Sequence, residues 1–188
     1  GGTRLRTFSG TARSGMESKI SFKVAGTLVA LPVRVGDVVR KGQILAELDP
    51  KDFEIAKQET EASLARAQAE ARNAAANYDR VRQLYENQNA SRNDLDAARA
   101  SAESAEATVR SEKTKLEQAR LQLSYTRLRA PVTGSIAAVH VETNENVQGG
   151  QTVALLHSGS SIETEVAIPE SLISEIRRGA PVTVTLDR

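Results

Sequence analysis

Residues 52–124 read DFEIAKQETEASLARAQAEARNAAANYDRVRQLYENQNASRNDLDAARASAESAEATVRSEKTKLEQARLQLS, and the fold turns on this stretch. It contains neither glycine nor proline and is rich in Ala, Glu, Gln, Arg and Leu, so helix propensity is high throughout. A short turn at Asn87 to Ala90 divides it into one helix out and one helix back. Arms of roughly 35 residues, at 1.5 Å per residue, make a rod about 50 Å long. On the returning arm, Leu95, Ala98, Ala102, Ala105, Val109, Glu112, Leu116, Ala119 and Leu123 alternate at spacings of three and four, a heptad seam with one polar interruption. Phe53, Lys57, Thr60, Leu64, Ala67, Ala71, Ala74, Tyr78, Val81 and Tyr85 form a weaker seam on the outgoing arm. Alanine lets the helices approach closely but buries little apolar area, and burial is worth only ~25 cal/mol per Å². The expectation is a thin antiparallel coiled coil that partner chains stabilise further.

Both helix starts carry signals. Asp49-Pro50 sets a capping carboxylate before a proline at the first helical position. Ser91-Arg92-Asn93-Asp94 has the form of a capping box, with Asp94 standing in for the longer Glu or Gln.

The flanks of the hairpin repeat each other. At one constant offset, without a gap, Gly26, Ala30, Val33, Val39, Gly42, Gln43, Ala46 and Leu48 meet Gly134, Ala138, Val141, Val147, Gly150, Gln151, Ala154 and Leu156. Gly36-Asp37 meets Asn144-Glu145, and Gly and Asn are the residues that best tolerate positive φ in a tight turn. Each half reads as strand, turn, strand, turn, strand. Neither can bury its apolar face alone, so the two halves should close into one small β-sandwich.

Composition sets limits around this plan. The chain has 188 residues and no cysteine, hence no disulfide framework and no thiolate metal site. A net charge of +1, with acids and bases interspersed, offers no broad footprint for nucleic acid. No apolar run reaches the ~18 residues a membrane span needs. The opening Gly1-Gly2, without an initiator Met or a signal peptide, suggests a trimmed chain.

The repeat, with Val-Gly-Asp-Val-Val-Arg-Lys-Gly-Gln-Ile-Leu-Ala in its first half and Arg-Ala-Pro-Val-Thr-Gly (Arg129 to Gly134) in its second, resembles the split lipoyl domain of periplasmic adaptors. These membrane fusion proteins serve tripartite efflux pumps of the resistance-nodulation-division type, and in them a helical hairpin interrupts the lipoyl domain. The resemblance covers essentially the whole chain. It implies an α+β fold: an antiparallel coiled-coil hairpin (51–124) inserted into a split lipoyl-like β-sandwich (21–50 and 125–158), with part of a β-barrel domain (1–20 and 159–188). Ile162 to Arg188 reads as strand, short helix from Pro169-Glu170-Ser171, and strand Val182 to Leu186. Ser158, Ser160 and Ser161 read as a Gly-containing turn linking the lipoyl and barrel parts.

Function follows from the resemblance. It implies a non-enzymatic periplasmic adaptor linking an inner-membrane transporter to an outer-membrane channel, hexameric in the assembled pump. Anchoring to the inner membrane would come from a segment not present in this chain. Arg80, Leu84 and Ser91 match in identity and spacing the tip residues with which the family contacts the channel. Read locally, Arg80 is a solvated residue, Leu84 shields the seam and Ser91 is an N-cap; capping and docking can coexist in Ser91.

Other chemistries find little support. Lipoyl and biotinyl domains present a modified lysine in the turn that helices replace here, and Met16 is not part of a Met-Lys-Met arrangement, so no cofactor is expected. His140 and His157 lack clustered carboxylates or a second ligand at metal spacing, so neither a metal site nor catalysis is expected. Arg127, Arg129, Arg177 and Arg178 read as structural residues or as contacts to a neighbouring protomer. The remaining readings are an adaptor of an ABC exporter or type I secretion system, and a structural coiled-coil protein outside transport.

Overall fold

A computed structural model describes residues 4–176 and 181, the side chains of 8–14, 160–166 and 174–175 excepted. In chain order the elements are β1 (Leu5–Ser21), β2 (Gly26–Ala30), β3 (Val38–Val39), β4 (Ile44–Leu48), α1 (Lys51–Glu86), α2 (Arg92–Ser124), β5 (Arg127–Arg129), β6 (Gly134–Val139), β7 (Asn146–Val147) and β8 (Thr152–Pro169), then a 3-10 turn at Glu170–Glu175.

The helices stand where the pattern put them, and every residue of both predicted seams is buried or half-buried. The best-shielded layers are Ala67 and Ala71 against Val109, flanked by Leu64 and Ala105. That core is as thin as its alanines imply. α1 starts under the Asp49 carboxylate, whose Oδ1 accepts the Lys51 N–H at 3.1 Å.

The sandwich consists of two four-stranded sheets, ordered β1-β8-β6-β3 and β5-β4-β2-β7. The repeat halves do not form one sheet each. β3, from the first half, pairs antiparallel with β6 of the second, while β7, from the second, pairs with β2 of the first. The swap is two-fold in its details. Gly36 N–H donates to the Ile136 carbonyl at 2.8 Å and Asn144 N–H to the Leu28 carbonyl at 2.7 Å. Gly36 and Asn144 take φ of 93° and 73°, the left-handed conformation that Gly and Asn reach most cheaply. Leu28, Val39, Leu45 and Leu48 of the first half and their counterparts Ile136, Val147, Val153 and Leu156 fill one common core. Each half thus completes the other's sheet as well as covering its apolar face.

Two expectations require correction. Ser158 to Ser161 do not turn. They continue β8, paired residue for residue with Arg13 to Met16 of β1, and the ladder runs from Leu5 opposite Pro169 to Ser21 opposite Thr152. Serine and glycine favour turns when no partner is at hand, but here β1 supplies ladder partners along the whole length. The helix expected after Pro169 is a 3-10 turn ending at Glu175. The expected strand Val182 to Leu186 lies outside the described residues, as do Arg177 and Arg178.

Candidate docking site at the hairpin tip

The tip is shaped by how one helix stops and the next begins. Past Glu86 the amides of Asn87, Gln88 and Asn89 donate back to the carbonyls of Gln83, Tyr85 and Leu84 at 3.1, 3.0 and 2.7 Å. The reversal places Gln88 at φ 62°, a left-handed conformation that costs a non-glycine residue about 1 kcal/mol. α2 then opens on a complete capping box. Ser91 Oγ accepts the Asp94 N–H, and Asp94 Oδ2 accepts the Ser91 N–H, both at 3.0 Å.

That box makes the tip sensitive to acid. The Ser91 backbone N–H, and after it the Ser91 hydroxyl, holds the Asp94 carboxyl below the usual carboxylate range. A depressed pKa contributes stability above the unfolded value of ~4 and loses it as pH falls through the folded value. As pH falls below the unfolded value and on through the lower folded one, the first turn of α2 should therefore fray. Amide exchange at Leu95, whose N–H donates to the Ser91 carbonyl at 3.1 Å, should accelerate relative to mid-helix amides. Asp94→Asn should remove that pH dependence.

Two tyrosine–arginine latches hold the arms together behind the turn. The Tyr85 ring lies 6.0 Å from the Arg92 guanidinium carbon, and Arg92 also pairs with Asp96 at 3.3 Å. One heptad further from the turn on each arm, Arg99 Nε donates to Tyr78 Oη at 3.2 Å. The guanidinium carbons of Arg82 and Arg99 lie 5.9 and 5.8 Å from the centre of the Tyr78 ring. Cation–π contacts at such sites contribute ~0.5–1 kcal/mol each. Both tyrosines were legible as seam residues. Their arginines were not, although Arg92 and Arg99 sit one heptad apart opposite tyrosines with the same separation.

Against this latched seam, Arg80 and Leu84 lie outside. Both are exposed, Leu84 by 46%, one helical turn apart on α1. Arg80 borders a shallow groove with Asn77 and Ser101, and Leu84 borders the next, which shares Asn77 and Ser101 and reaches Asp94. The two residues therefore share one face of the hairpin, and Ser91 meets that face through its bonds to Asp94. In the seam beside it Leu95 and Ala98 are buried and Val81 is half-buried, and Leu84 lines one groove with Val81 and Ala98. Ser91 is engaged as the cap, its expected local role. Among the described residues no three His, Cys, Asp or Glu side chains gather as a metal site, and no helix is long and apolar enough to cross a membrane.

The hairpin has relatives. Residues 56–126 match the family model described as the RND MFP alpha-helical hairpin domain. That segment is similar to the helical hairpin of membrane fusion proteins. Over 187 residues, 96% of this chain, the sequence is 30% identical to the multidrug resistance protein MdtA of Escherichia coli strain 55989. The chain spans 45% of that relative's length. Among solved structures, a MacA–MexA chimera containing the Pseudomonas aeruginosa MexA α-hairpin superposes with a TM-score of 0.51 at 25% identity, covering 82% of this chain and 54% of the chimera. The membrane fusion protein Spr0693 of Streptococcus pneumoniae R6 shares the fold, with a TM-score of 0.60 at 20% identity over 81% of this chain and 64% of its own. The fold of this chain thus recurs in a protein that shares only a fifth of its residues.

Proposed function

We propose that these residues are the hairpin, the lipoyl-like sandwich and the start of the barrel of a periplasmic adaptor. The adaptor links an inner-membrane RND-type transporter to an outer-membrane channel, and its hairpin tip docks on the channel. The observation that carries this reading is Leu84, an aliphatic side chain about half exposed near the end of the rod, on a hairpin that matches the RND family model. An apolar contact flanked by the Arg80 cation suits a partner that offers a small apolar pocket with an acidic or carbonyl-lined rim. The mechanism is geometric. Sandwiches and barrel parts pack side by side into a ring, hexameric in the pump, and the hairpins form a tube that holds transporter and channel in line. The exported compounds pass through a conduit whose walls the adaptor supplies, held to the inner membrane by a segment outside these residues.

Photocrosslinking from position 84 in cells making the full-length protein tests the proposal. The expected product is a covalent adduct with an outer-membrane channel. Adducts with an inner-membrane transporter from other positions, with nothing at 84, would keep the adaptor and discard the tip. Silence at every position would return the chain to a structural coiled coil.

A further inference from the structure

β1 is the last strand of one sheet and β5 the last of the other. Between the end of β1 and β5, at the root of the hairpin, lies a cleft of about 400 Å³, a volume in the range of small-molecule sites. Its floor is apolar, with Phe22 and Leu128 both buried. Above that floor, half-buried Tyr125 and exposed Pro131 supply surface that a ligand can reach. Lys19, Lys23, Arg127 and Arg129 complete the walls, and no Asp or Glu among the described residues lines the cleft.

This is not an average sample of a chain with 25 basic and 24 acidic residues. Four like charges around one cleft repel one another, and the chain offsets that only in part. Glu47, from outside the lining, pairs with Arg127 Nε at 3.4 Å. Arg129 Nη1 donates to the Gly42 carbonyl at 2.9 Å, and the Lys23 ammonium sits 4.8 Å from the centre of the Tyr125 ring. Each contact fixes a cation while leaving it further N–H donors for an anion. Charges on an open strand edge also deter stray pairing, but that role requires no cavity, no aromatic wall and no single sign.

We infer that this cleft binds a small amphipathic organic anion, a carboxylate or sulfonate on an aromatic or aliphatic body. The acid group lies among the four cations, and the body rests on Tyr125, Pro131 and the lysine stems. Arg127 also borders a neighbouring hollow with Lys57, Arg120 and one acid, Glu54, so the positive potential extends past the cleft and draws anions toward it. Tyr125 closes α2, its N–H donating to the Leu121 and Gln122 carbonyls at 3.2 Å, and Lys23 follows β1. An occupant therefore touches rod and sandwich at once and holds their junction. The inference goes beyond the adaptor reading and stands wherever the hairpin tip docks.

Isothermal titration calorimetry of the full-length protein with cinnamate tests this. Inorganic phosphate, an anion without a body, and cinnamylammonium, nearly the same body with the opposite charge, should each bind at least about tenfold more weakly. Lys19→Gln with Lys23→Gln should weaken cinnamate about tenfold. Lys113→Gln with Lys115→Gln removes the same charge from exposed positions up the rod and should leave cinnamate binding unchanged. Equal losses in the two double variants would reduce the effect to net charge and overturn the site. So would equal binding of cinnamate and cinnamylammonium, or no heat at millimolar cinnamate. Vesicles of phosphatidylglycerol that bind where cinnamate does not would assign the cations to a lipid surface, against a free anion. A second readout needs no variant: bound cinnamate should slow amide exchange at Tyr125 and Thr126, and protection confined to other residues would refute the assignment.

Discussion

Full-length protein carrying Leu84→Asp should fold with unchanged helicity and fail to support drug export. Leu84 lies outside the seam and is about half exposed, so its replacement should move stability by no more than ~0.5 kcal/mol, the usual range for surface changes. At the proposed contact the same change places a carboxylate against an apolar pocket. Burying that charge unpaired costs several kcal/mol, and ~1.4 kcal/mol is a factor of ten in affinity. Export should fall to that of cells lacking the adaptor, read as susceptibility to a pumped compound, while the thermal midpoint of the purified protein stays put. Tyr85→Ala is the informative contrast. Tyr85 belongs to the seam and faces Arg92, so that change should lower the melting temperature of the hairpin. Full export by Leu84→Asp would remove the tip from the docking surface.

The same substitution at two repeat-related glycines should have unequal consequences. A Cβ built on Gly134 would stand 2.3 Å from the carbonyl oxygen of His157. No side-chain rotation relieves a collision with backbone, so β6 and β8 would have to separate where they carry the core. Gly134→Ala should cost ~3 kcal/mol or more, at the upper end of overpacking effects. At Gly26 the nearest atom to such a Cβ is the Leu48 Cδ1, at 3.2 Å, the end of a side chain that need give only a few tenths of an ångström. Gly26→Ala should cost under ~1 kcal/mol. Chemical denaturation of the two variants decides the matter, and equal losses would refute the steric account. The difference has a cause in the chain path. His157 continues β8 past Leu156, whereas its counterpart Asp49 turns away to begin α1.

What could be read without coordinates was whatever is periodic or repeated. The hairpin was legible because every seam residue lies within a turn or two of the next, and the capping box because it spans only Ser91 to Asp94. The sandwich was legible as a repeat, but not in its pairing. β3 and β7 are two residues long, too short for alternation to register, and their partners lie in the other half. The continuity of β8 through Ser158 to Ser161 was hidden because it depends on β1, which is distant in sequence. Arg127 and Arg129 stood out as possible protomer contacts; Lys19 and Lys23, which share their cleft, did not, since nothing in the sequence brings β1 beside β5. At the tip, exposure of Arg80 and Leu84 followed from helical spacing. Their proposed partner followed only from family resemblance.

The exchange of β3 and β7 between the halves bears on the order of events during synthesis. Until residues beyond Asn146 have emerged, β2 has β4 on one side and nothing on the other, β3 has no partner before β6 arrives, and the first half has no complete sheet to join. The intervening helices pack on each other between facing positions on adjacent arms, and the pairs beside the turn, such as Tyr85 and Arg92, are close in sequence, so the hairpin can zip from its tip. Closing the hairpin brings Asp49 and Tyr125 together before the strands must find one another, which replaces a long search by a short one. The rod then serves as a folding jig as well as a spacer. Its length can change by matched heptads, one from each arm, and still deliver the two halves to the same meeting point. A sandwich whose halves interlock in this way can carry rods of many lengths without altering any residue of its own core.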